Sequence, residues 1–167
     1  MISRRSTCRL CDADRFSLLL KLTPTPPANA FVARERLAVD QERFPLDLFQ
    51  CQGCGHVQLL DVVDPEVLFR DYVYVTGTSS AFVEHFRRYA DEMISRSPAP
   101  RDALVVDIGS NDGTFLRFFR ERGFSVLGVD SALEIATTAS ESGIPTRSAF
   151  FTPALAETIR RENGPAT

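Results

Sequence analysis

Leu104-Val105-Val106-Asp107-Ile108-Gly109-Ser110-Asn111-Asp112-Gly113-Thr114 is an apolar run that ends in an acid and a glycine turn, and its reading decides the fold. Residues 104–108 predict a buried parallel strand, and the turn over 109–113 leads into a helix over 114–120 that Gly123 closes. Phe124-Ser125-Val126-Leu127-Gly128-Val129-Asp130 predicts a second strand, again ending in a carboxylate. Strand, glycine turn, helix and acid-terminated strand make the opening β-α-β unit of a nucleotide-cofactor fold. A helix over 132–142, an extended stretch over 144–149 and a last helix over 153–161 follow.

The turn argues for one cofactor over another. Dinucleotide sites use G-x-G-x-x-G because the middle glycine lets the backbone approach a pyrophosphate. Here Ser110 follows Gly109, the middle glycine is missing, and Asp112 stands where the pyrophosphate would lie. S-Adenosylmethionine has no phosphate and carries a sulfonium and an ammonium, which suit Asp107 and Asp112 nearby. Asn111 tolerates a left-handed backbone, and Gly109 and Gly113 flank it. Asp130 is expected to accept hydrogen bonds from both ribose hydroxyls. Asp107 has a second reading, as a strand-end residue that caps the glycine loop.

Upstream, all four cysteines fall into two C-x-x-C pairs, Cys8/Cys11 and Cys51/Cys54. Each pair predicts a knuckle with two thiolates on one side, and two knuckles complete the tetrahedral sulfur shell of structural Zn2+. A redox dithiol needs one such pair opening a helix, and neither pair opens a helical pattern. Gly55 follows the second knuckle, where the backbone needs a conformation that a Cβ resists. His56 is read as entering a strand over 57–60. Pro24, Pro26 and Pro27 predict an extended connection, and Phe44-Pro45-Leu46-Asp47-Leu48-Phe49-Gln50 a strand that feeds the second knuckle. The first module, residues 1–63, is therefore expected to be a small β-rich zinc-binding domain.

Residues 64–100 are expected to hold a short helix from Pro65 capped by Asp64, then an aromatic loop, a connecting helix and a linker. Tyr72 and Tyr74 at alternate positions suggest a strand, and Ser79 or Ser80 an N-cap for a helix reaching about Ile94. Phe82, Phe86, Tyr89 and Met93 are expected on its apolar face, with His85 a polar position. Ser95 to Pro100 reads as the linker, and 101–167 as the first half of the cofactor domain. The fold class is α/β: a small β-rich zinc-binding domain, then an incomplete Rossmann-like domain. A formal charge of -3 gives no excess of positive charge to meet a phosphate backbone, so nucleic acid is not an expected partner. The N-terminus shows no signal-peptide pattern and no apolar run is long enough to cross a bilayer, so a cytoplasmic protein is expected.

Taken in order, these residues resemble a known family. The zinc pairs, Pro27-Ala28-Asn29-Ala30, Cys51-Gln52-Gly53-Cys54-Gly55, Phe69-x-x-Tyr72-x-Tyr74 with Gly77-Thr78-Ser79, and Asp107 to Thr114 look like the nucleotide-sugar C-methyltransferases. That resemblance implies a class I methyltransferase domain behind the zinc domain, and methyl transfer to a carbon next to the ketone of a nucleotide-linked deoxy-sugar. It also implies that Tyr72, Tyr74 and Ser79 close over the methionine end of S-adenosylmethionine. The family's catalytic histidine and glutamate match neither His56 nor His85, so they are expected beyond residue 167, with this chain an N-terminal fragment inactive alone. On that view apolar edge from Val105, Val106, Val126 and Val129 should stay exposed. Two alternatives stay open: a non-catalytic zinc-containing nucleotide-binding module, and a zinc-bearing NAD-dependent oxidoreductase.

Overall fold

The computed structural model describes residues 2–166; Met1 and Thr167, the outer ends of the expected domains, lie outside the described residues. The chain forms two compact units that part between Phe69 and Arg70.

In the first unit, β1 (Ile2–Arg4) pairs antiparallel with β5 (Asp61–Val63). A second sheet has the order β2 (Phe16–Leu20), β3 (Leu48–Cys51), β4 (Val57–Leu59), antiparallel throughout, with an irregularity between Leu18 and Leu20. The strand expected over 44–50 begins later, at Leu48, because Pro45 cannot donate to a ladder; Phe44 instead bridges Thr25. A short helix α1 (Pro65–Phe69) ends the unit, and Asp64 accepts from the Glu66 N–H at 3.1 Å. The buried hydrophobic residues here are Cys8, Phe44, Cys51 and Leu60. Two of those four are candidate metal ligands, so the sheet is organised around the cysteines more than around an apolar core.

The second unit starts with Tyr72 to Val75, which form no strand, followed by a 3-10 turn over Thr76–Thr78. Ser79 caps α2 (Ser80–Arg96) by accepting from the Phe82 N–H. The helix runs past Ile94, and its buried face differs from the one expected. Val83, Phe86, Ala90 and Ile94 pack inward, whereas Phe82, Tyr89 and Met93 are 50%, 45% and 42% exposed. Both stripes fit a 3.6-residue period; the position of Phe118, Phe119 and Phe124 decides between them.

A parallel sheet follows, built from β6 (Leu104–Ile108), β7 (Ser125–Asp130) and β8 (Thr146–Ser148) in that spatial order. The helices α3 (Thr114–Glu121) and α4 (Leu133–Glu141) connect them, and α5 (Pro153–Asn163), capped by Thr152, follows β8. After α5 the chain returns to the free edge of β6, where Ala166 bridges Leu104 in parallel. This burial overturns one expectation. Val129 is 1% exposed and Val105, Val106 and Val126 are part-buried, so those valines form no open apolar edge; Ile108 at the strand end is the exposed residue.

Candidate metal centre and glycine-loop site

The first knuckle turns at Cys8, whose N–H donates to Ala13 O, and the second closes with Gly55 at φ +78° and its N–H on Cys51 O. Antiparallel pairing of Phe16 with Cys51 then brings the knuckles together. Cys8 Sγ lies 3.8 Å from Cys54 Sγ, and Cys11 Sγ 3.6 Å from Cys51 Sγ. All four sulfurs lie within 4.8 Å of one another. Four ligands at the usual zinc–sulfur bond length stand about 3.8 Å apart at the corners of a tetrahedron, so the cluster fits the ion. His56 stays outside it, its carbonyl accepting from the Cys51 N–H.

The electrostatics agree. Burial pushes the Cys8 thiol up, but the N–H groups of Leu10 and Cys11 and the Gln58 amide outweigh it and bring it down to about 6. Cys11 goes the other way: the Ala13 N–H favours its thiolate, yet the crowded thiols of Cys54, Cys51 and Cys8, with burial, push it up to about 12. A cation among the four sulfurs would offset the crowding that holds Cys11 protonated. Gln58 escaped the sequence reading. It is 6% exposed, donates from Nε2 to Cys8 Sγ at 3.2 Å, and accepts at Oε1 from the Arg9 N–H at 3.1 Å. A glutamine within an otherwise apolar strand was the available signal, since such a residue needs a buried partner.

In the second unit the glycine turn stands at the C-terminal ends of β6 and β7. Gly109 has φ +78°, Asn111 φ +50° and Gly113 φ +74°. The space a Cβ on Gly109 would enter is open, while one on Gly128 would run into the side chains of Ser110 and Thr146. The Ser110 and Thr114 hydroxyls beneath the turn are buried without a hydrogen-bond partner. Asp130 accepts from the Asn111 N–H at Oδ2 (2.8 Å) and from the Ala132 N–H at Oδ1 (2.9 Å). Each oxygen keeps a further acceptor site.

Asp107 and Asp130 end neighbouring strands. Burial, and then the negative charge of Asp130, hold the Asp107 carboxyl above the usual carboxylate range. A carboxylic acid with a raised native pKa favours folding below its unfolded pKa, and that contribution is lost as pH rises through the native value. Asp107→Asn is therefore expected to raise the melting temperature of the chain at neutral pH, with the gain shrinking as pH falls toward the ordinary carboxylate range. Melting curves across that window check it; a gain independent of pH would show that Asp107 carries no such strain.

The remaining sequence-predicted residues lie along the second unit's opening segment. Tyr72 is part-buried and Tyr74 exposed, and the Tyr74 carbonyl, not its ring, reaches the loop, accepting from Asn111 Nδ2 at 2.8 Å. Ser79 serves as the α2 cap. Asp112 accepts from Gly77 N–H at 2.9 Å and from Thr114 N–H at 3.1 Å. Asn111 thus hydrogen-bonds both Asp130 and Tyr74, and Asp112 next to it holds Gly77. Among the described residues, no helix is long and apolar enough to cross a membrane.

Residues 8–69 match a family model described as “Putative zinc binding domain”. Over 157 residues, 94% of this chain, the sequence is 35% identical to the C-methyltransferase NovU of Streptomyces niveus. The match covers 37% of that relative's length.

Proposed function

We propose that the chain, similar over 94% of its length to a C-methyltransferase and carrying a zinc-binding domain at residues 8–69, supplies the zinc-binding part and the cofactor-binding part of an S-adenosylmethionine-dependent C-methyltransferase. The observation that carries the reading is the paired carboxylates Asp107 and Asp130 at the strand ends beside an open glycine turn. Burial and the neighbouring Asp130 charge hold the Asp107 carboxyl above the usual carboxylate range, and a ligand with positive charge would relieve that. A dinucleotide would bring two more negative charges to the same place.

When bound, S-adenosylmethionine offers a methyl group on a cationic sulfur. Asp130 would accept from the ribose hydroxyls through its remaining lone pairs and so orient the nucleoside. Asp107, Gly109 and Gly113 would line the methionine side, with the acids favouring its ammonium and sulfonium. Asn111 and Asp112 would shape the turn, and Tyr72, Tyr74 and Ser79 would cover it and exclude water. Holding donor and acceptor in line accounts for up to about 7–11 kcal/mol of a barrier. The acceptor we propose is a carbon next to the ketone of a nucleotide-linked deoxy-keto-sugar. His56 and His85 have no part in this scheme, since His56 enters β4 and His85 stacks against Tyr89. Cys8, Cys11, Cys51 and Cys54 would hold zinc as a closed structural ion, which leaves it no open position for chemistry.

A Rossmann-like arrangement of the second unit supports this. The strands β6, β7 and β8 are parallel and adjacent in chain order, with a helix in each crossover, and in such sheets ligands bind outside the carboxyl ends of the strands, where the glycine turn lies. We take residues 1–63 as the zinc domain, 64–100 as the connection and 101–167 as part of the cofactor domain.

Replacing Asp130→Ala tests the reading. Binding of S-adenosylhomocysteine should weaken by about 1–3 kcal/mol, the scale for leaving polar partners unpaired. Calorimetry that finds unchanged affinity, or tighter binding of NAD than of S-adenosylhomocysteine, would reject the assignment.

A further inference from the structure

We propose that the side chains of Asn111 and Asp112 act as a clasp that positions the tyrosine segment over the glycine turn, a role that rests on the cofactor reading above. Asn111 makes two hydrogen bonds to main chain two residues apart: Oδ1 accepts from Thr76 N–H at 2.8 Å, and Nδ2 donates to Tyr74 O at 2.8 Å. Asp112 adds the next contact, Oδ2 accepting from Gly77 N–H at 2.9 Å while Oδ1 holds Thr114 N–H at the start of α3. The segment Tyr74 to Gly77 is thus held along its main chain by two consecutive loop residues.

The residue types are those this job requires. The amide orientation of Asn111 is fixed by its partners, because a donor must face a carbonyl and an acceptor must face an N–H. Aspartate at this position would set an oxygen against Tyr74 O. Asn111 also sits at φ +50°, a region asparagine tolerates. Gly77 answers from the other side: a Cβ there would stand 2.6 Å from Asp112 Oδ2 and 3.1 Å from Thr114 Oγ1, so a side chain would push the Asp112 carboxylate off the Gly77 N–H.

The clasp also reaches Asp130. The Asn111 N–H donates to Asp130 Oδ2, so one residue links the end of β7 to the tyrosine segment. A ligand seated on Asp130 meets a turn whose side chains are already engaged with residues 74–77. The segment then forms a wall of the cofactor site, and Asn111 and Asp112 are positioning residues whose side chains act through it.

The test uses the whole chain, first without ligand. Amide hydrogen exchange is measured at Thr76 and Gly77 in the unaltered protein, in N111G, which keeps the backbone freedom and removes the amide, in N111D, and in G77A, which leaves Asn111 intact. Exchange at both amides should rise about tenfold to a hundredfold in each variant, with β6 and β7 amides unmoved. S-Adenosylhomocysteine should then bind each variant about tenfold more weakly. Thr76 and Gly77 unprotected in the unaltered chain, or unchanged in every variant, would overturn the clasp. Faster exchange with unchanged affinity would overturn its positioning role. An unaltered chain that does not bind S-adenosylhomocysteine refutes the cofactor reading, while the ligand-free exchange still decides the clasp.

Discussion

Removing the metal, or replacing Cys51 by serine, should unfold the first unit while leaving the second folded. Structural zinc supplies about 10–16 kcal/mol of apparent folding free energy in small zinc domains at neutral pH. Little else holds this unit. Its buried hydrophobic residues are Cys8 and Cys51, which are 0% and 1% exposed, with Phe44 and Leu60. On β2, Leu18, Leu19 and Leu20 are each about half exposed, so that strand contributes little burial. Without the ion, burial, crowded thiols and the N–H groups aimed at Cys8 and Cys51 sulfurs no longer have a common counterpart. The second unit has separate apolar clusters, around Phe119 and around Val129. Purified protein should carry one zinc per chain. Chelation should abolish amide protection in β3 and β4 and leave β6 and β7 protected. Persistence of the β3–β4 protection after complete zinc removal, with four free thiols, would show that the ion is not what folds the unit.

Gly113→Ala should cost the second unit about 2–5 kcal/mol. The residue lies at φ +74° just before α3, where a side chain costs about 1–2 kcal/mol. A Cβ there would also approach Ile144 Cγ2, Cβ and Cγ1 at 2.8, 2.9 and 3.0 Å. Ile144 is 1% exposed and cannot swing away, so overpacking adds about 1–3 kcal/mol. Denaturant unfolding measures the sum. Ile144→Ala removes both Cγ atoms, so adding Gly113→Ala in that background should cost less than it does beside Ile144, with the backbone cost unchanged. A single-variant loss below about 1 kcal/mol would mean that the turn moves freely, and would weaken the case for a rigid cofactor loop.

The sequence-level signals that held were local ones. The C-x-x-C pairs announced a sulfur cluster because two residues between cysteines fix a knuckle whatever surrounds it. The run from Leu104 to Asp130 announced β6, α3 and β7 because strand and helix periods are properties of adjacent residues. Gly55 and Asn111 were placed in left-handed turns on their own conformational preferences, and the structure has both there. Capping by Ser79 followed from the same kind of short-range chemistry.

Tertiary packing decided what local signals left degenerate. Phe82, Tyr89 and Met93 satisfy a helical stripe as well as Val83, Ala90 and Ile94 do, and only the placement of Phe118, Phe119 and Phe124 selected the second. Tyr72 and Tyr74 alternate as a strand would, yet residues 72–75 form no strand, and the segment from Tyr74 to Gly77 is held by Asn111 and Asp112 across a sequence separation of 35 to 37 residues. Gln58 meets Cys8 across 50 residues, and Gly128 must be glycine because Ser110 and Thr146 converge on it. The sequence alone determined which elements form and which residue types could hold a cation, since those follow from backbone preference and donor chemistry. Which partner each polar side chain takes was decided by the fold, because contacts between distant residues leave no periodicity in the chain.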